Sequence, residues 1–278
     1  MNISTEYFNS TGVHPFTIIQ ETLILRGFRI ALLGFNILFG LPTHSYVLWL
    51  IAREGRIPLE IFNVNLTVCE IIYSFIFLTQ IFASLELLYQ FLQGLGITGR
   101  PLFQCLMCVE RYLAVVHPVT FLKFKPLRYR VICCTAVWIT TLGSCLAAMI
   151  IQIVSNLKTY SWFFSLQFLI FLSIQLFCLV AVLRALKQSG PGERGRKREE
   201  ENHMKRRAFH LILITTVTLV VMFVPFAITG FLTVLQQQEQ QGILPIWFLS
   251  ISCFILAGFV QPVLYLHRAG KLFCLCSS

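Results

Sequence analysis

Seven stretches of this chain are long and apolar enough to cross a lipid bilayer. A membrane-spanning helix needs about 20 mostly apolar residues to cover the hydrocarbon core. The qualifying stretches, which we number span one to span seven, are 27–51, 61–83, 87–112, 131–155, 161–183, 208–235 and 243–266. Because lipid offers no hydrogen-bond partners to an open backbone, each stretch predicts a helix. The expected fold is therefore an all-α membrane protein, a seven-transmembrane helix bundle.

Composition and missing motifs exclude several classes of function. Charged residues make up 12% of the chain, whereas a soluble domain has about 25%. All 12 acidic residues are Glu, which excludes Asp-dependent chemistry such as intramembrane aspartyl proteolysis. No HExxH or GxGxxG pattern is present, so we expect neither an enzyme nor a bound metal or cofactor. The net charge of +10 lies in loops rather than on a groove-like face, and nucleic acid is not an expected partner.

Basic residues in the loops predict how the bundle is oriented. They concentrate after spans one, three, five and seven: Arg53, Arg56, Lys123, Lys125, Arg128, Arg130, Arg184, Lys187, Arg194, Arg196, Lys197, Arg198, Lys205, Arg206, Arg207, Arg268 and Lys271. The opposite side carries only Arg26, Arg29 and Lys158. Since loops rich in Lys and Arg face the cytoplasm, we expect the N-terminus outside the cell and the C-terminus inside.

Two end segments flank the transmembrane domain, 27–266, and carry candidate modification sites. Residues 1–26 form the expected extracellular N-terminus. Residues 267–278 mix basic and apolar side chains, which is typical of a short amphipathic helix on the inner leaflet. The candidate sites are Asn2 and Asn9, in glycosylation sequons, and Cys274 and Cys276, as palmitoylation sites or as two unmodified cysteines.

Short motifs at matching depths in five spans point to one receptor family. They are Asn65-Leu66 in span two, Glu110-Arg111-Tyr112 in span three, Trp138 in span four, Phe223-Val224-Pro225 in span six and Gln261-Pro262-Val263-Leu264-Tyr265 in span seven. Together they resemble the N-L-x-x-x-D, E/D-R-Y, tryptophan, W/F-x-P and N-P-x-x-Y patterns of rhodopsin-like (class A) G-protein-coupled receptors. The resemblance implies a plasma-membrane receptor that passes a signal from an extracellular ligand to a heterotrimeric G protein.

The resemblance assigns the contact with the G protein to the cytoplasmic ends of spans three and seven. The implied coupling residues are Glu110, Arg111, Tyr112, Pro262 and Tyr265. In the family's mechanism, Glu110 holds Arg111 at rest, and activation frees Arg111 to meet a G-protein helix. The alternative from the residues alone is an ordinary ion pair at the membrane edge, where arginine is common.

Span six carries the implied activation switch. Pro225 removes a helix hydrogen bond and favours a kink about which the span can swing. Phe223, close to it, resembles the family's aromatic toggle. A purely structural kink is the alternative for Pro225.

The outer half departs from the family and leaves the ligand open. Glu86 stands where the family has a cysteine in span three, and the short loop after span four has no cysteine. The disulfide that usually ties these two parts together is therefore not expected. The span-one sequence is weakly nearest to the branch with nucleotide, lipid and protease-activated receptors, but it does not identify a ligand.

Two charged residues are expected to meet in the middle of the membrane. Glu70 lies ten residues after Glu60, which stands at the cytoplasmic edge, and this separation is about 15 Å of helix. Arg100 lies eleven residues before Arg111, or about 16 Å. Both depths reach the centre of a hydrocarbon core about 30 Å thick. Because a lone charge there is costly, we predict that Glu70 and Arg100 form an ion pair.

His44 and Gln261 are assigned to the same buried polar core as Glu70 and Arg100. The resemblance places these four residues around the site where related receptors bind sodium, and we expect a fixed cation, Arg100, to replace that ion. His44 and Gln261 are then expected to complete the hydrogen bonds of the pair. In the alternative, Arg100 faces an outer cavity that nearby glycines open, and it binds an anionic ligand.

Two other functions compete with signalling. One is a seven-span protein that does not couple to a G protein and acts as a decoy or a trafficking partner. The altered core and the absent disulfide favour it, whereas the complete motifs of spans three and seven oppose it. The other is a small channel or transporter in which Glu70 and Arg100 form the pathway. Two charges that neutralise each other make a poor conduction route.

Overall fold

A computed structural model describes residues 15–76, 79, 85–124, 126–154, 157–187, 196–235 and 244–269. Four candidate modification sites and the expected C-terminal amphipathic helix lie outside these residues or at their edge: Asn2, Asn9, Cys274, Cys276 and segment 270–278.

The described part of the chain is helical and contains no strand, so the predicted all-α fold is confirmed. The helices are Pro15–Phe35 and Leu41–Arg53 in span one, Ile61–Ser74 in span two, Glu86–Gly94 and Arg100–Val116 in span three, Pro118–Phe124 after it, Leu127–Val154 in span four, Leu157–Lys187 in span five, Arg196–Leu235 in span six, and Leu244–Ala257 and Val260–Arg268 in span seven. Among the described residues, five helical stretches are long and apolar enough to cross a membrane, in spans one, four, five, six and seven.

Two helices begin 12 residues earlier along the chain than the apolar stretches predict. The first starts at Pro15 and the helix of span six at Arg196. Proline is favoured in the first turn of a helix because its missing N–H has no intrahelical partner there. The residues before span six are mainly Arg, Lys and Glu, which are good helix formers. A count of apolar residues cannot detect such polar extensions.

Spans one and three each contain a π-helical turn that ends at the glycine of a Gly-x-Pro sequence. The turns cover Asn36–Gly40 and Leu95–Gly99, and the prolines are Pro42 and Pro101. A proline ring clashes with the carbonyl four residues earlier, and for both prolines that carbonyl lies inside the π turn. The wider turn relieves the clash. Arg100 follows the π turn of span three and is buried in the bundle.

Span three is the central helix of the bundle and packs against spans two, four, five and six. Its glycines allow close approach. A Cβ at Gly96 would lie 2.5 Å from the Tyr73 ring, and a Cβ at Gly94 would lie 3.0 Å from the Cα of Cys145. These glycines are therefore covered by neighbouring spans. The alternative in which they open a cavity above Arg100 is wrong.

Candidate functional site

A cavity of about 200 Å³ lies between the cytoplasmic ends of spans two, three, six and seven. Its lining contains three of the five predicted coupling residues, Glu110, Arg111 and Tyr265, together with Gln261. The other lining residues are Leu59, Glu60, Phe62, Asn63, Met107, Leu211, Leu264 and Arg268. Residues far apart in the sequence are thus brought to one polar cavity on the side that the charge pattern assigns to the cytoplasm.

Arg111 lines this cavity and forms no ion pair with any acidic side chain that the structure describes. Its Nη1 is buried and has no hydrogen-bond partner among the described residues. Glu110, the expected partner, instead accepts a hydrogen bond from Nη2 of Arg130 and forms its ion pair with that residue. The prediction that Glu110 holds Arg111 is therefore wrong for this conformation.

Arg130 holds Glu110 because it is anchored on two sides. Its Nη1 donates to the backbone carbonyls of Pro58, at 3.1 Å, and Leu59, at 3.0 Å, in the loop after span one. Its guanidinium carbon lies 5.9 Å from the ring centroid of Phe62. Guanidinium offers five donors in a fixed plane and can serve several acceptors at once. In the sequence Arg130 stands out only as one of many basic loop residues, and no motif indicates this role.

The two remaining coupling residues, Tyr112 and Pro262, are not in the cavity lining. The hydroxyl of Tyr112 lies 3.0 Å from Nε2 of His117, and its ring packs edge-on against Phe177 of span five. Pro262 is buried in span seven. By contrast, the buried hydroxyl of Tyr265 has no hydrogen-bond partner among the described residues.

The predicted ion pair between Glu70 and Arg100 is present in the membrane core. Nε of Arg100 donates to Oε1 of Glu70, and Nη2 donates to Oε2 at 2.7 Å. This bidentate contact is the strongest arrangement of an arginine with a carboxylate. Arg100 is only 2% exposed and Glu70 only 4%. Such burial contradicts the alternative in which Arg100 faces a water-filled outer cavity.

A break in span seven supplies the third acceptor for Arg100. Nη1 of Arg100 donates to the carbonyl of Phe254 at 2.8 Å. In a regular helix that carbonyl would accept from the N–H of Gly258, but Gly258 donates to Ile255 instead. The Phe254 carbonyl is thereby left for the guanidinium. The ring of Phe254 also lies 4.9 Å from the guanidinium carbon of Arg100, in the range of a cation–π contact.

His44 and Gln261 are buried but do not complete the hydrogen bonds of the pair. Nδ1 of His44 and Nε2 of Gln261 have no hydrogen-bond partner among the described residues. The expected role of these two side chains is therefore wrong. The reason is that the Phe254 carbonyl already takes the donor of Arg100 that the carboxylate leaves, whereas Gln261 lines the cytoplasmic cavity.

Comparison with known families decides which family this bundle belongs to. The profile of the 7 transmembrane receptor (rhodopsin family) matches residues 45–265. The chain belongs to this family. The matched region contains both the cytoplasmic cavity and the ion pair, so both are features of a receptor domain.

The curated relatives of this chain are named as receptors or receptor homologues, and their sequence identity to the chain is low. C-C chemokine receptor type 8 of Homo sapiens is 27% identical over 231 residues, 72% of this chain and 62% of that receptor. Chemokine XC receptor 1 of Mus musculus is 26% identical over 269 residues, 87% of this chain and 79% of that receptor. G-protein coupled receptor homolog Q2/3L of Sheeppox virus (strain KS-1) is 22% identical over 242 residues, 74% of this chain and 60% of that protein.

The match with the human chemokine receptor spans less than two thirds of that receptor's length. The names of these relatives do not test the expected nearness to the branch with nucleotide, lipid and protease-activated receptors, which stays a prediction.

Two motif residues of the receptor meet between spans two and four. Nε1 of Trp138 donates to Oδ1 of Asn65 at 2.8 Å, and Nδ2 of Asn65 donates to the carbonyl of Ile61 at 2.8 Å. These residues match family motifs in separate spans, and the structure shows them as one contact. Asn65 also begins a glycosylation sequon, but its amide is engaged inside the bundle.

Span six of the receptor has both switch residues in packed positions. Phe223 is buried and stacks on Phe168 of span five, with ring centroids 5.3 Å apart and planes at 14°. Pro225 lies inside the continuous helix Arg196–Leu235. Its carbonyl accepts a hydrogen bond from Thr229 at 2.7 Å. The structure thus shows the packing of the two residues, and their action as a switch stays a prediction.

Proposed function

We propose that this receptor passes an extracellular signal to a heterotrimeric G protein at the plasma membrane, and that the cytoplasmic cavity receives the G protein. The observation that carries the proposal is Arg111, whose Nη1 is buried in the cavity region and has no acceptor in the described part of the chain. A buried donor without a partner costs about 1–3 kcal/mol. A ligand that supplies the acceptor recovers that free energy on binding.

The C-terminal end of a helix is a suitable source of such acceptors. Its last four carbonyls have no intrahelical partner, and the helix dipole makes that end negative. The hydroxyl of Tyr265, which also has no hydrogen-bond partner among the residues that the structure describes, belongs to the same cavity lining and can join the contact. A G-protein helix that enters with its C-terminus first would meet Arg111 and Tyr265 together.

The cavity must widen before a helix can enter. A helix with its side chains is about 10–12 Å across, and a volume of about 200 Å³ holds no more than a fraction of one turn. Span six contributes Leu211 to the lining and contains Pro225 within its helix. Outward movement of the cytoplasmic half of span six about Pro225 would open the cavity.

The test is the loss of signalling when Arg111 is removed. In cells with each class of Gα subunit, Arg111→Ala should abolish any basal signal and any signal elicited by a ligand panel, because the guanidinium contact is lost. Arg111→Lys should restore only part of it, since an ammonium lacks the planar fork. The measurements are G-protein activation and cell-surface expression, which should stay near normal.

Arg53→Ala is the matched control, because Arg53 is an exposed arginine at the cytoplasmic end of span one and outside the cavity. Since two relatives are named chemokine receptors, we propose chemokines as the first ligands in the panel. Signalling that Arg111→Ala leaves unchanged would contradict the coupling role and favour the decoy or trafficking function.

A further inference from the structure

The carboxylate of Glu110 is already occupied, and its occupant is not the arginine next to it. Arg130 binds Glu110 through Nη2 while Nη1 is held by the carbonyls of Pro58 and Leu59. Arg130 is only 8% exposed. A move of Glu110 to Arg111 would strip the carboxylate from this buried guanidinium, which is costly in a region of low dielectric. The existing pair is therefore the favoured one.

No other described carboxylate restrains Arg111. Glu60 lines the same cavity, but its ion pair is with Arg56 at 3.8 Å. From 202 to 235 span six has no acidic residue, so this part of its helix offers Arg111 no carboxylate. In the part of the chain that the structure describes, the arginine that meets the G protein is thus not held by a carboxylate.

We propose that Arg130 is a positioning residue that keeps Glu110 away from Arg111, so that the receptor binds its G protein without an activating ligand. The inference rests on the proposed function, because it assumes that Arg111 contacts the G protein. The chemistry is a competition between two arginines for one carboxylate. Removal of Arg130 frees Glu110 to capture Arg111, and removal of both Arg130 and Glu110 releases Arg111 again.

The experiment measures peptide binding to the purified receptor in lipid nanodiscs without any extracellular ligand. The probes are fluorescent synthetic peptides with the C-terminal sequences of each class of Gα, and the readout is their dissociation constant by anisotropy. The unmodified receptor should bind at least one peptide. Arg130→Gln should weaken that binding by about tenfold, within the usual range of coupling between sites. Arg130→Gln with Glu110→Gln should return the affinity to near the original value.

The double substitution separates positioning from a structural role. If Arg130 served only to anchor the loop after span one, loss of Glu110 as well would not restore binding. Arg128→Gln is the matched control, since Arg128 is an exposed arginine in the same first turn of span four, and it should bind as the unmodified receptor does. If Arg130→Gln fails to reach the membrane, Arg130→Lys replaces it. The loss of binding should be smaller, because lysine keeps a positive charge for Glu110, but some loss should remain, because one ammonium cannot serve the carboxylate and both carbonyls.

Failure of this inference differs from failure of the proposed function. Binding that disappears in Arg111→Ala but is as tight in the Arg130 variant as in the unmodified receptor would overturn the inference alone. Failure of the double substitution to restore binding would also overturn it. Absence of binding by every peptide, or binding that Arg111→Ala leaves intact, would overturn the proposed function and the inference with it.

Discussion

At the scale of single residues, each buried charge of the ion pair is stabilised by particular partners. Arg100 joins three spans, because its guanidinium bonds Glu70 of span two and the Phe254 carbonyl of span seven. Nη1 also lies 3.4 Å from the sulfur of Met222 in span six. In the membrane each of these polar groups would be costly without its partner. The pair is therefore a structural tie at the centre of the bundle.

A double-substitution cycle tests that tie. Glu70→Gln and Arg100→Gln should each lower the thermal stability of the purified receptor, because breaking a buried pair by removal of one partner costs about 3–5 kcal/mol. Both changes together should cost less than the sum of the single effects. The measurements are the unfolding temperature in detergent and surface expression.

The control for this cycle is Arg53→Gln, which removes an exposed charge and should stay within about 0.5 kcal/mol of the unmodified receptor. Additive losses in the double variant would show that the two side chains stabilise the bundle independently. Sodium should leave signalling of the unmodified receptor unchanged, since Arg100 provides the positive charge beside Glu70.

Depth in the membrane explains which pair the sequence could predict. Counting residues along their helices places both Glu70 and Arg100 at the bilayer centre. Water cannot solvate them there, so each requires the other. Glu110 lies near the edge that the charge pattern assigns to the cytoplasm, where a charge can pair in several ways. The family resemblance favoured Arg111 as its partner, whereas the structure pairs it with Arg130. The acceptor at Phe254 was also missed, because it depends on a break in span seven at Gly258 that the sequence analysis did not predict.

At the scale of the helices, the glycines of span three set how closely it packs. Gly96 faces the ring of Tyr73, which is itself buried and packs edge-on against Phe254 at 5.7 Å. The guanidinium carbon of Arg100 lies 5.5 Å from the same Tyr73 ring. A side chain at Gly96 would therefore displace a ring that borders the ion pair.

Gly96→Ala should destabilise the receptor although alanine is the better helix former. The added methyl would stand 2.5 Å from the Tyr73 ring, and overpacking of this kind costs about 1–3 kcal/mol. Gly143→Ala is the matched control, because nothing lies within 4 Å of a Cβ at Gly143. It should be neutral or slightly stabilising. Equal unfolding temperatures for the two variants would contradict the close packing of span three.

The helix boundaries show what a hydropathy count can and cannot give. It placed the apolar cores of the spans, because lipid requires about 20 apolar residues per crossing. It missed the start of the span-six helix at Arg196, since charged residues outside the lipid extend a helix without any apolar signal. The repeated Gly-x-Pro at Pro42 and Pro101 is a usable signal for the two π turns, which a count of apolar residues does not detect.

At the scale of the whole molecule, the receptor has two polar sites with different tasks. The ion pair of Glu70 and Arg100 ties the spans at mid-depth, and the cavity around Arg111 lies at their cytoplasmic ends. The family resemblance predicted where in the bundle the residues of both sites lie. They could not predict the state of the cavity, because that state depends on whether Arg111 or Arg130 holds Glu110, which is decided by contacts between loops and spans.

Nucleotide exchange by purified components tests the central claim that this receptor activates a G protein through Arg111. The receptor in lipid nanodiscs is mixed with heterotrimers of each Gα class, and binding of a non-hydrolysable GTP analogue is followed over time. We expect the unmodified receptor to accelerate exchange on at least one heterotrimer, and Arg111→Ala to return the rate to that of empty nanodiscs. A rate equal to that of empty nanodiscs for every heterotrimer, or acceleration that Arg111→Ala retains in full, would contradict the account.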